Sequence, residues 1–102
     1  MTANIGTLLT LDRLVHEPAR LAILSILSEV DEAEFKFLEV ATKLTKGNLS
    51  SHAQKLEEAG YIEIHKAFIG KLPSTRFRVT AAGRAAVRRY LRDYEKFQRS
   101  IG

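Results

Sequence analysis

The sequence predicts an α+β fold, mainly helical, with one β-hairpin set before a long terminal helix. Three features of the 102-residue chain carry this expectation. Apolar residues recur at helical spacing over most of the first sixty positions, the period then drops to two, and a second helical stripe runs from Val87 to Ile101. Proline, threonine and glycine fall at the joints between these stretches. A chain of this size buries about 65% of its unfolded surface, which is enough for one core and leaves little bulk for an enclosed catalytic cleft. A single domain over residues 1–102 is expected, and an enzyme is disfavoured.

Leu8, Leu11, Leu14 and Val15 have helical spacing, which predicts a first helix ending near His16. Pro18 suits the first turn of a second helix, whose Leu21, Ile23, Leu24, Leu27 and Val30 form a broad apolar stripe. The acidic run Asp31-Glu32-Ala33-Glu34 reads as a loop into a short third helix carrying Phe35, Leu38, Val40 and Ala41. Thr45 is placed to cap a fourth helix over about 45–59, which Gly60 stops. Within it Leu49, Ala53 and Leu56 face the core, while Asn48, Ser51, His52 and Lys55 form a hydrogen-bonding stripe on the outside. Ile62 and Ile64, then Phe77 and Val79, alternate with polar residues as two antiparallel strands, joined by a connection over 66–74 in a hairpin spanning about 61–79. Thr80 caps the last helix, about 80–101, with Val87, Tyr90, Leu91, Tyr94, Phe97 and Ile101 on one face.

Charge is segregated along the chain. Residues 1–42 hold 3 basic and 7 acidic side chains, whereas residues 43–102 hold 13 basic and 5 acidic ones. That asymmetry fits a surface meant for a polyanion. A short helix, a tight Lys43-Leu44-Thr45 turn, a second helix and a two-stranded ribbon form a helix-turn-helix with an appended wing. An α-helix fits the major groove of duplex DNA, and Asn, Ser, His and Lys reach base edges or phosphates. The positive end of the helix dipole lies near Thr45, Lys46 and Gly47, where a phosphate is favoured.

The sequence also resembles the small winged-helix transcriptional regulators related to the MarR and ArsR types. The resemblance covers nearly the whole chain. It rests on Leu11-Asp12 with His16-Glu17-Pro18-Ala19-Arg20-Leu21-Ala22-Ile23-Leu24, on Leu44-Thr45-Lys46-Gly47-Asn48-Leu49-Ser50-Ser51-His52, on Leu56-Glu57-Glu58-Ala59-Gly60-Tyr61-Ile62 and on Thr80-Ala81-Ala82-Gly83-Arg84. It implies that the helix from Lys46 to Ala59 is the recognition helix, with Ser50 beside the polar stripe among the DNA-contacting candidates, and that the hairpin is the wing. Many MarR-type wings carry an Asp-x-Arg motif; here that region reads Gly70-Lys71-Leu72-Pro73-Ser74-Thr75-Arg76. Metal-sensing ArsR relatives use Cys or His clusters, and His16, His52 and His65 are not spaced as a ligand pair, so no metal and no cofactor are expected.

Each candidate has a plainer alternative. The stripe on the fourth helix is otherwise a solvated face, and His52 is otherwise bonded internally. Lys66, Lys71, Arg76 and Arg78, candidates for wing contact with DNA, serve otherwise as charges that guard a hairpin edge against aggregation. Leu8 together with the stripe of the last helix exceeds what so small a core covers, and a homodimer is expected; the alternative is a last helix folded across its own domain. Asp12 and His16, four residues apart, form an orienter-and-base pair only on paper, because no nucleophile stands at a motif spacing from them. Zero cysteines, no long apolar run and no basic-then-apolar leader together predict a cytoplasmic protein that neither spans nor binds membrane, and no residue cluster identifies a small-molecule effector. The expected function is sequence-specific, double-stranded DNA binding as a dimeric transcriptional repressor. The competing expectation is a winged module that docks on protein or RNA.

Overall fold

The computed structural model describes residue 9 and residues 11–101. The expected first helix does not reach His16: residues 11–17 form a succession of turns. Asp12 explains the difference, since its Oδ1 accepts the N–H groups of Leu14 and Val15 at 2.9 and 3.3 Å, drawing donors away from a helix ladder. Pro18 adds to it by disfavouring helical geometry at Glu17, which is extended and caps helix α1, Pro18–Val30, by accepting the Arg20 N–H at 2.8 Å. Ile23, Leu24 and Leu27 of α1 are fully buried at the centre of the core, together with Leu38, Leu49, Leu56 and Phe77.

The acidic run after α1 is not a loop. It holds strand β1, Glu32–Glu34, which leads straight into helix α2, Phe35–Thr42. Ala33 points inward while Glu32 and Glu34 flank it, a period-two pattern too short to register in the sequence without its cross-strand partners. Of the apolar residues the sequence gives to α2, Leu38 is buried and Phe35 half-buried, whereas Val40 and Ala41 are exposed along with Phe37. The inward line of this two-turn helix runs through Phe35, Leu38, Glu39 and Thr42, an i, i+3, i+4, i+7 set from which Phe37, Val40 and Ala41 are turned away. Lys43, in the left-handed region at φ 60°, closes α2.

Helix α3, Lys46–Glu58, follows as the sequence predicts, with Leu49, Ala53 and Leu56 buried and the Thr45 hydroxyl accepting the Asn48 N–H at 3.1 Å. Strands β2, Ile62–Ile69, and β3, Leu72–Val79, run further than expected and leave a two-residue turn at Gly70-Lys71. Gly70 takes φ +64° at the first turn position, which a tight hairpin turn favours. Pro73 lies inside β3, and the reason it is tolerated is local: β1 pairs β3 only at residues 76–78, so the β1 side of β3 near Pro73 is an open edge. The sheet is antiparallel throughout, in the order β1-β3-β2, so the predicted pair of strands is a trio.

Helix α4, Ala81–Ile101, is the last described element. Thr80 caps it by accepting the Gly83 N–H at 3.0 Å and donates its own hydroxyl to the Gly60 carbonyl at 2.6 Å. Gly83 sits against the Tyr61 carbonyl so closely that a Cβ there would collide with it. The residues 60–61 and the start of α4 are thereby fastened together at the base of the hairpin.

Candidate nucleic-acid interface

The α2–turn–α3 unit puts one helix face outside. Each residue of α3 advances about 100° around the axis, so the direction opposite Leu49, Ala53 and Leu56 is shared by Gly47, Ser51 and Gln54, with Asn48 and Lys55 on one flank and Ser50 on the other. All six of these residues are exposed, as are Thr45 and Lys46. The structure therefore brings Gly47, Asn48, Ser50, Ser51 and Lys55 to one accessible surface, with Thr45 exposed at its N-terminal end, whereas Lys46 is exposed on the side of the helix that faces α2 and the hairpin, beside Glu39 and Ser74. Gln54 belongs to that surface and was missed; its position three residues beyond Ser51 is the signal that would have found it. The N–H groups of Lys46 and Gly47 precede the first intrahelical bond at Leu49, and open space surrounds Gly47, so an anion can approach the helix end closely.

His52 stands apart from that stripe. It is half-buried on the side of α3 that meets α1, with its Nδ1 3.2 Å from the Arg20 guanidinium and 3.7 Å from Glu17 Oε2. Arg20 also donates from Nε to the Leu14 carbonyl at 2.6 Å. Glu17, Arg20 and His52 thus brace the turns before α1 against α3. Partial burial pushes the Glu17 carboxyl up, but N–H bonds from Arg20 and Ala19 and the charges of His52 and Arg20 outweigh it, and the net shift is downward.

The hairpin stands beside α3. Phe35, Ser50, Gln54, Glu57, Ile64, Lys66, Thr75 and Phe77 line a cleft of about 370 Å³ between the two. Glu57 bridges it by accepting the Ile64 N–H at 3.3 Å. Strand alternation puts Lys66 and, further out, Phe68 and Pro73 on the cleft face, and Lys71 is exposed at the turn. Arg76 and Arg78 lie on the opposite face of the sheet. There Arg76 pairs with Glu32 and Glu34 at 3.5 and 3.1 Å, and Arg78 with Glu32 at 3.6 Å. Exposed pairs of this kind hold weakly, about 0–1 kcal/mol each, so they tie β1 to β3 without burying either charge. Lys66 is the hairpin cation that lines the cleft with α3, and Lys71 is the one exposed at its tip.

Two tyrosines connect the ends of the chain to this unit. Tyr61 donates to Asp12 Oδ2 at 2.8 Å, and its hydroxyl is raised above the ordinary tyrosine value, chiefly by burial and then by Asp12. The Tyr90 hydroxyl lies 2.7 Å from His16 Nδ1 and is likewise raised by burial and by Tyr94. The side chains of Asp12 and His16 each engage a separate tyrosine, while the His16 N–H donates to the Asp12 carbonyl at 2.7 Å. On α4 Val87 and Tyr90 are buried within the protomer, whereas Leu91, Tyr94 and Ile101 are exposed and Phe97 is half-buried. Leu8 lies outside the described residues. Among the described residues no group of three His, Cys, Asp or Glu could hold a metal ion, and no helix is long and apolar enough to cross a membrane.

Residues 19–97 match the family model of the winged helix DNA-binding domain. An uncharacterized protein of Methanocaldococcus jannaschii is 32% identical over 89 residues, covering 87% of this chain and 97% of that one. Among solved structures, a transcriptional regulator homologue from Pyrococcus horikoshii OT3 superposes with a TM-score of 0.85 at 26% identity, over 95% of each chain. A MarR-family transcriptional regulator from Silicibacter pomeroyi shares the fold at a TM-score of 0.65 and 23% identity, over 97% of this chain and 64% of its own.

Proposed function

Since this chain belongs to the winged helix DNA-binding domain family, we propose that it is a sequence-specific transcriptional regulator that acts as a repressor. In this reading a homodimer binds a pseudo-palindromic duplex. The observation that carries the reading is the exposed stripe of α3, in which Asn48, Ser51 and Gln54 offer amide and hydroxyl groups and Lys55 offers charge, with Lys46 exposed beside its start and Lys66 of the hairpin across the cleft. Asn48 and Gln54 read base edges, since an amide presents a donor and an acceptor that match adenine in the major groove. Thr45, Lys46, Gly47 and Lys55 contact phosphate, which fixes the helix in register. Ser50 and Ser51 add contacts from the same turns. His52 acts from behind the stripe by holding α3 against α1, and Arg76 and Arg78 act by securing β1.

The dimer uses the outer part of α4, where Leu91, Tyr94 and Ile101 expose apolar surface on one helix. Two such protomers place their half-sites about 10 bp apart, or a multiple of it. Occupancy of the site excludes polymerase, and in this reading the protein works in the cytoplasm. Selection from a pool of random duplexes tests the reading. An enriched site with two-fold symmetry is expected. A pool that remains random through successive rounds would contradict it and would favour a module that docks on protein or RNA.

A further inference from the structure

The hairpin tip is apolar where a DNA-facing wing has most reason to be charged. Phe68, Ile69 and Leu72 are 75%, 63% and 73% exposed, and Pro73 stands opposite Phe68. Nothing in the hairpin's own packing calls for them, because its buried residues, Ile62, Phe77 and Val79, are all at the base. Cations bracket the apolar group: Lys66 precedes Phe68 on the cleft face, and Lys71 is in the turn itself. Edge protection accounts for the lysines but not for three large exposed apolar side chains on one tip.

From this arrangement we infer that the tip is a minor-groove wedge, which enters the duplex beside the major groove read by α3 and opens a flexible base step. The inference rests on the DNA reading above and adds to it a contact that deforms the duplex. Phosphates and the hydrated groove floor offer an apolar tip nothing, whereas a partly unstacked base step offers apolar surface that Phe or Leu can cover. Size leads to the same conclusion. Two paired strands are about 4.8 Å apart before their side chains are counted, and the minor groove is about 6 Å wide, so the tip fits only where the groove widens. Lys66 and Lys71 neutralise the phosphates on the groove walls, which a second protein would not require. The steps that open at least cost are pyrimidine–purine steps, TA and CA, so the wedge confers a flank preference without reading any base edge.

The test uses the full chain and the duplex enriched from the random pool, carrying fluorophores at its two ends and either a TA step or a stiff A-tract at the flank. Wild-type protein is expected to shorten the end-to-end distance and to prefer the TA flank by about tenfold. The doubly substituted Phe68→Ala, Leu72→Ala chain is expected to lose both effects while keeping the wild-type salt dependence. It should also keep the wild-type melting temperature, because both side chains are exposed. Phe68→Leu, which retains an apolar wedge, should restore most of the bend. An unbent wild-type complex, or equal bending and flank preference in the doubly substituted chain, would overturn the wedge and leave the role of α3 intact. A change in sedimenting mass with no change in DNA shape would overturn it by assigning the tip to a contact between copies of this chain. If wild-type protein enriched no duplex at all, the DNA reading and the wedge would fall together.

Discussion

Gly47 and Gly83 each stand in the first turn of a helix, and they lack a side chain for opposite reasons. At Gly47 a Cβ would meet nothing, so the glycine costs α3 helical stability and leaves room only for something outside the chain. At Gly83 a Cβ would strike the Tyr61 carbonyl, so the glycine is needed for α4 to close on the base of the hairpin. Gly47→Ala should therefore stabilise the fold by about 0.5–1 kcal/mol and weaken DNA binding. Gly83→Ala should destabilise it by about 1–3 kcal/mol despite alanine's better helix propensity. Urea denaturation of both variants checks the pair, and two shifts of the same sign would contradict the assignment. The sequence already suggests the role of Gly47, a residue without a side chain at the start of a polar helix where a DNA backbone can come close, whereas that of Gly83 is not visible there because it depends on a carbonyl 22 positions away.

Among the elements, α3 was the most legible, in its bounds, its core face and most of its outer face. Its cap at Thr45, its buried Leu49, Ala53 and Leu56 and its polar outer face all follow from one periodicity that the tertiary fold leaves undisturbed. The turns at 11–17 and strand β1 were not, since each is decided by partners that a local pattern does not contain: the Asp12 carboxylate for the one, Arg76 and Arg78 of β3 for the other. His52 shows the same limit within α3. Its place at the edge of the outer stripe is legible, but its turn toward Glu17 and Arg20 depends on how α1 packs. The Glu17 cap gives that packing a dependence on pH. A folded-state value below the ordinary 4.5 stabilises the fold above that pH, and the contribution is lost as the pH falls through the folded value. The urea midpoint should thus decline as the pH falls below 4.5, and that of Glu17→Gln should decline less over the same range. Parallel curves for the two proteins would remove Glu17 from the account.

On the scale of the whole molecule, the charge asymmetry of the sequence maps onto a working asymmetry of the fold. The acidic first part supplies Glu17, Asp31, Glu32 and Glu34, each paired with a basic side chain: His52, Arg84, Arg76 and Arg78 among them. Lys46, Lys55, Lys66 and Lys71 remain exposed around α3 and the hairpin. The expected dimer helix proved divided. Val87 and Tyr90 belong to the protomer's own core, so the surface open to a partner narrows to Leu91, Tyr94 and Ile101, with Phe97 at its margin. Tyr94→Glu should halve the mass in sedimentation if that surface joins two protomers. A monomeric wild type, or an unaltered mass in the variant, would remove the interface.

The outer stripe of α3 is the claim on which the rest stands, and affinity measured against salt tests it most directly, using Asn48→Ala and Lys55→Ala on the enriched duplex and on random DNA. Asn48→Ala should cost the enriched duplex about 1–3 kcal/mol more than random DNA. Lys55→Ala should weaken both alike and flatten the slope of log affinity against log salt by about one unit. Unchanged affinities and slopes in both variants would mean that this face of α3 does not touch DNA.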